Sequence, residues 1–236
     1  MLSETPFMAA EADKAFEVLK AGGIAIMPMD VGYSAIGGSY SALRRIFEAK
    51  RREPTKFNAM IGDCELAREL YLLPGLSWDV FDAITRDDDL PLGVIGPCRM
   101  DHPMLASMEP EALRMSTKDN TLCMLTNAGP FHAAISRRSR EAGHPLFGSS
   151  ANLSMQGTKF RAVEIEPDIL AIADVVIDHG LRKFWPYGAS STLLNLITFE
   201  VVRFGSGYEL IQDTLERRFN INLPAAPKPL RIQGRD

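Results

Sequence analysis

Between Arg44 and Lys56 the chain carries Arg44, Arg45, Lys50, Arg51, Arg52 and Lys56, opposed only by Glu48 and Glu53. A basic helix end is ordinarily a solvated face that the helix dipole favours. Here Lys50, Arg52 and Lys56 cross from a helix into a loop containing Pro54, so their heads can converge instead of lining one helix face. Convergent cations suit a polyphosphate, because guanidinium gives two parallel hydrogen bonds and ammonium a mobile point charge. The second candidate is FGSSANLSMQG, Phe147 to Gly157, where an apolar run gives way to small polar residues. Ser, Asn and Gly make turns by bonding local backbone or tolerating positive φ. They also leave room for a ligand to approach the backbone, with Ser150 and Asn152 offering donors.

Other chemistries lack their residues. No GxxxxGK[ST] loop and no GxGxxG fingerprint follows a strand, so a phosphate site must use side chains and the serine-rich turn. His102, His132, His144 and His179 show neither HExxH nor paired ligand spacing, and none is assigned to metal or catalysis. No GxSxG elbow surrounds a serine, which argues against a covalent acyl intermediate. Cys64, Cys98 and Cys123 are odd in number and without CxxC spacing, which fits a reducing cytoplasm rather than a disulfide framework. Met27, Met29, Met100, Met104, Met108 and Met115 read most simply as core filler.

The elements that must hold these residues follow from periodicity. With 236 residues and 46% hydrophobic content the chain can bury one core. The expectation is an extension over 1–8, one domain over 9–219, and a proline-rich basic tail over 220–236. Helical spacing covers Ala9 to Ala21, Ser41 to Arg52, Asp63 to Leu72, Ser77 to Thr85, Phe131 to Ala142, Glu166 to Ala173 and Gly207 to Arg218. GIAIMPM, FNAMIG, PLGVIG, TLCMLT, PLFGS and DVVID read as strands, and STLLNLI with EVVRFG as a hairpin. Strands alternating with helices, closed by a hairpin, give an α/β fold with a mixed sheet. The net charge of -4 argues against a surface coated for nucleic acid, although local patches can still bind polyanions. No signal peptide and no stretch of 18 apolar residues is present, so a soluble cytoplasmic protein without a membrane partner is expected.

Four segments in order resemble the YrdC-like family, whose best-characterised members are threonylcarbamoyl-AMP synthases. GGIAIMPMDVGYSAIG resembles the family's strand and PTDTVYGL turn, and KRREPTKFNAMI its KxRxxxK element. SSANLS resembles the TSANxSG turn, and SSTLLNLITFEVVRFG the PST strand followed by VxRxG. The resemblance spans Ala9 to about Leu215 and implies a twisted mixed β-sheet flanked by helices, in a single domain with a concave basic face. It implies a reaction joining L-threonine, bicarbonate and ATP into threonylcarbamoyl-AMP and pyrophosphate, towards tRNA modification. By resemblance Arg52 and Lys56, with Lys50 beside them, hold the ATP phosphates and form the catalytic set. Ser150, Asn152 and Arg203 contact the nucleotide, and Mg2+ bridges the phosphates. Met29, Asp30, Tyr33, Ser149, Ser191 and Thr192 stand at the family's acceptor-binding positions.

The acceptor side departs from the family. Met29 and Val31 replace both threonines of PTDTVYGL, while Pro28, Asp30 and Tyr33 remain. The arginine of the family's VRxP strand aligns with Leu125 or a neighbour in TLCMLTN, and Arg99, Arg114 or Lys118 would have to supply that charge. Three readings follow: a threonylcarbamoyl-AMP synthase with a rebuilt pocket, a paralogue adenylating the carbamate of another amine or another small acid, and a non-catalytic binder of tRNA or double-stranded RNA.

Overall fold

The computed structural model describes residues 5–53 and 56–226. The chain opens with α1 (Pro6–Lys20), where the Thr5 hydroxyl accepts from Met8 N and Pro6 takes the first helical position. Gly22, at φ 85, turns the chain into β1 (Ile24–Met29). A two-residue turn, Asp30 and Val31, pairs β1 antiparallel with β2 (Gly32–Gly37), a strand that the periodicity does not announce and that the family resemblance gives as a turn. All six residues of β2 are buried, so it lacks the polar alternation that marks a half-exposed strand. Gly32 holds φ 114, and a Cβ there would lie 2.2 Å from Thr158.

Next come α2 (Tyr40–Ala49), β3 (Ala59–Ile61) and α3 (Cys64–Leu70). The basic helix stops short of Arg52 because Arg51 adopts φ 49, which no right-handed helix accommodates. Asp63 caps α3 as expected, its carboxylate accepting from Leu66 N at 2.8 Å. Helix α4 (Gly75–Asp82) runs on as a π-helical turn over Ala83–Asp87. Then follow β4 (Leu92–Pro97), the short helices α5 (Pro103–Ala106) and α6 (Pro110–Arg114), β5 (Thr117–Lys118), β6 (Thr121–Thr126) and α7 (Pro130–Glu141). The chain closes with β7 (Phe147–Ser150), α8 (Pro167–Leu170), β8 (Val175–Val176), β9 (Thr192–Asn195), β10 (Val201–Arg203) and α9 (Tyr208–Phe219). After α9, Leu223 is buried and its carbonyl accepts from the Gln212 amide at 3.0 Å. The expected basic stretch from Lys228 to Arg235 lies outside the described residues.

The sheet runs β10-β9-β4-β6-β3-β7-β2-β1-β8, with β5 added to β6. Parallel pairs (β1 with β8, β3 with β6, β4 with β9) are interspersed among antiparallel ones, which makes the twisted mixed sheet flanked by helices. One face carries Ile24, Ala35, Met60, Met124, Val94 and Leu194, packed against α2, α3, α4 and α9. The opposite face is covered by α1 and α7 over Ala25, Met27, Ile36, Ile61 and Leu125. Strand alternation sends Cys123 and Ile95, which pair across β6 and β4, to this second face beyond Leu125. There Cys123, Ile95 and Leu193 are only partly buried, and among the described residues no helix covers them. That end of the second face is thus an open hollow. No helix among the described residues is long and apolar enough to cross a membrane.

Candidate functional site

Lys50 caps the C-terminus of α2 and is 2% exposed. Its ammonium donates to the carbonyls of Ser150 and, at 2.5 Å, of Asn152, so two of its three donors are spent on the SSAN turn. Burial pushes the Lys50 ammonium down to about 7; Arg52 adds to the effect and Glu166 opposes it. The basic cluster and the serine-rich turn, apart in sequence, therefore meet through this side chain.

Past the left-handed residue Arg51 the chain leaves the helix, and Arg52 follows in the loop. The Arg52 guanidinium lies over the Phe47 ring at 5.1 Å and donates to Phe57 O at 2.6 Å, while its Nε has no partner. From β10, Arg203 donates to Ser191 O at 2.8 Å and to Ser191 Oγ at 3.2 Å. Desolvation holds both guanidiniums below their ordinary range, and Arg52 and Arg203 each interact with the Cys123 thiol between them. Burial pushes that thiol up to about 11, which keeps it protonated. Arg203 is exposed at the end of β10. Lys56 is exposed and has no ion-pair partner among the described residues. Around the turn, Asn152 Oδ1 and Ser149 Oγ are buried without partners, while the Asn152 amide nitrogen donates to Leu153 O. The hollow thus offers an apolar floor of Cys123, Ile95 and Leu193 with cations at its rim, and the Asn152 oxygen is unpartnered at the turn, while Ser149, opposite Ala35, belongs to the helix-covered face.

The acceptor positions are arranged differently. Met29 and Tyr33 are fully buried, and Leu125 is 8% exposed. Met29, Val31, Leu125, Ala128 and Phe131 share one apolar cluster under α1 and α7. The Tyr33 hydroxyl donates to Asp178 at 2.7 Å, and burial with that bond holds its proton well above the usual phenol range. The Asp30 carboxylate accepts from Arg182 at 3.1 Å, a pair whose side chains are 12% and 11% exposed. Desolvation raises Asp30 despite the opposing charge of Arg182. Arg182 also donates to Met29 O and His179 O, so one side chain ties the hairpin turn to the strap over 178–184. Ser191 and Thr192 are buried, with the Thr192 hydroxyl donating to Ser206 O. Of the cations expected to compensate at Leu125, Arg114 pairs with Glu111 at 2.7 Å and Arg99 lies past the Pro97 end of β4. Lys118 is exposed on β5 opposite Thr121.

Sequence reasoning missed Arg182, Asp178 and Glu166. Their partners lie 152, 145 and 13 residues away, and nothing in local spacing announces such pairs. Cys123 could have been found, because alternation along TLCMLT places it opposite the core residues Leu122 and Met124.

A mixed sheet left half open, with guanidiniums above an apolar floor and a serine-rich turn beside it, defines an α/β domain suited to an anionic ligand with an apolar part. This chain belongs to the Sua5/YciO/YrdC family, whose model, described as telomere recombination, matches residues 17–205. Among solved structures it is similar to the hypothetical protein smu.1377c from Streptococcus mutans UA159, at 22% identity and TM-score 0.68, over 89% of this chain and 92% of that one. It is similar to P. abyssi Sua5 complexed with L-threonine, at 18% identity and TM-score 0.68, over 92% of this chain and 59% of that one. E. coli YciO matches at 19% identity and TM-score 0.65, over 84% of this chain and 90% of that one. The chain therefore spans about three-fifths of the Sua5 chain. Identities this low establish the fold. No curated protein matches this chain.

Proposed function

We propose that the protein is a threonylcarbamoyl-AMP synthase-like nucleotidyltransferase that takes L-threonine, bicarbonate and ATP towards a tRNA modification. The observation that carries this reading is the chemistry of the unpartnered atoms: Arg52 Nε seeks an acceptor, while Asn152 Oδ1 seeks a donor. A nucleotide supplies both, phosphate oxygens to the guanidinium and a ribose hydroxyl or exocyclic amine to the amide oxygen. The carbamate formed from the threonine amine attacks the α-phosphorus, the bond to the bridging oxygen breaks, and pyrophosphate leaves. Such a displacement needs alignment and charge neutralisation rather than a protein nucleophile. Arg52 and Arg203 supply the charge, and the turn held by Lys50 supplies the alignment.

The residues at the hollow are guanidinium, ammonium, hydroxyl and amide groups, which fit phosphate oxygens and offer a cation no carboxylate. Among the described residues no group of three or more His, Cys, Asp or Glu side chains could hold a metal. Magnesium enters this reading as the ion that ATP carries, neutralising the phosphates.

A second reading, a paralogue with another amine or small acid as acceptor, is favoured by the packing of Met29, Val31 and Leu125 in one apolar cluster and by Arg182 being committed to Asp30. The cations near that cluster are Arg182, which is held by Asp30, and Lys183, which also acts on Asp30 and lies over Phe184. Purified protein with ATP, magnesium, bicarbonate and a panel of amino acids and amines, followed by pyrophosphate release, separates the two. Release with threonine supports the first; release with another amine alone overturns it in favour of the second. Silence across the panel together with no ATP binding by calorimetry overturns both.

A further inference from the structure

The SSAN turn is gripped from two sides. Lys50 binds it three times: its ammonium donates to Ser150 O and Asn152 O, and its carbonyl accepts from Ser154 N at 3.1 Å. From the other side Glu166, the residue preceding α8, accepts from Leu153 N at 3.2 Å and pairs with Lys159 at 2.8 Å. The charged groups that face the Lys50 ammonium are Arg52, from the loop after α2, and Glu166. An ammonium committed to two carbonyls orients the backbone, whereas Arg52 keeps an unpartnered donor for a ligand.

We propose that Lys50 is a positioning residue, a titratable clip that fixes the Ser150–Asn152 turn for the nucleotide, so that ATP binding weakens when the clip loses its proton. This rests on the nucleotide reading above and adds to it the role of one residue and a pH response. Burial pushes the Lys50 ammonium down to about 7, so the change falls at physiological pH. The neutral amine keeps two N–H groups, but charge-assisted bonds are roughly twice as strong as neutral ones. Bound phosphates favour the protonated form in return, so above that pH ATP binding must take up a proton.

Calorimetry with MgATP between pH 6 and pH 8.5, in buffers of different ionisation enthalpy, tests this. The expected result is a loss of about tenfold in affinity for each unit by which ATP raises the Lys50 value, with proton uptake near pH 8. Lys50→Gln, which donates but does not titrate, gives a flat profile without that uptake. Lys50→Met combined with Asn152→Ala binds no worse than Asn152→Ala alone, because Lys50 acts through the turn. A flat wild-type profile, or additivity between Lys50→Met and Asn152→Ala, overturns the proposal. Amide hydrogen exchange of the free protein decides the clip without any ligand. Protection at Ala151 and Ser154 falls in Lys50→Met, and unchanged protection overturns the clip. If the wild type binds no ATP at any pH while this protection falls, the nucleotide reading fails and the clip stands as a clamp on the turn alone.

Discussion

Asp30 and Arg182 show how one residue's role depends on a partner far along the chain. The carboxylate is buried, and desolvation raises its pKa even with the guanidinium at 3.1 Å. Removing that guanidinium leaves a buried charge unpaired, which costs about 3–5 kcal/mol. Arg182→Leu is therefore expected to lower the denaturation midpoint strongly at pH 7 and less at pH 4. The sign follows from linkage. A carboxyl whose folded pKa is raised contributes stability below its unfolded value of 3.8 and loses it as pH rises through the folded value. Without Arg182 the folded value rises further, so the variant's stability falls more steeply above pH 4 than the wild type's. A parallel pair of urea-unfolding profiles checks this; equal slopes sink it. At the nucleotide side, Arg52→Ala is expected to weaken ATP at least tenfold, about 1.4 kcal/mol, whereas Lys56→Ala, at an exposed position where solvent screens the charge, changes it less. Titration calorimetry measures both, and unchanged affinity in Arg52→Ala returns the basic cluster to a solvated face. The candidates Lys50, Arg52, Ser150, Asn152 and Arg203 were legible because their types and spacing follow a family pattern. The commitment of Asp30 to Arg182 was not, because an ion pair across 152 residues leaves no local trace.

Among the elements, β9 and β10 carry the Arg203 side of the hollow. The hairpin was readable from two apolar runs around a Thr198–Phe199 turn, and β10 does pair antiparallel with β9. Its functional use depends on Gly205, where a Cβ would lie 2.3 Å from Ser190 O and 2.4 Å from Ser191 O. No side chain fits between the end of β10 and the start of β9, so Gly205→Ala must push Ser190 and Ser191 away. Arg203 is anchored on Ser191 O, and Ser206 N on Ser190 O at 2.8 Å. Overpacking of this kind costs about 1–3 kcal/mol. The expected outcome is a lower melting temperature and an ATP affinity reduced as in Arg203→Ala; wild-type affinity would show that Ser191 does not position Arg203. The strand β2 was less legible. Its full burial removes the alternation from which strands are read, and only the pairing with β1 and β7 makes it one.

At the scale of the molecule, a chain of net charge -4 gathers Arg52 and Arg203 about the Cys123 floor of one hollow, and the readings differ in how many phosphates that hollow can meet. One nucleotide fits two guanidiniums, an apolar floor and a turn; a double-stranded RNA needs cations spread over a much longer track. Ligand at a hundredfold excess over its dissociation constant adds about 2.7 kcal/mol. For a domain of this size each kcal/mol shifts the melting temperature by about 2–4 °C. Saturating MgATP is therefore expected to raise it by about 5–10 °C, and L-threonine alone by much less, because the Met29, Val31 and Leu125 positions are apolar and Arg182 is held by Asp30. Raising salt separates the remaining possibility. An RNA that releases counterions from several phosphates loses affinity with a log–log slope of about -0.7 to -0.9 per contact. A slope steeper than about -4 for double-stranded RNA, together with no thermal shift from ATP, would replace the nucleotide reading with the RNA one. A clear ATP shift and only weak RNA retention at 0.15 M salt, where the Debye length is about 8 Å, is the outcome that the compact placement of Arg52 and Arg203 beside Cys123 leads us to expect.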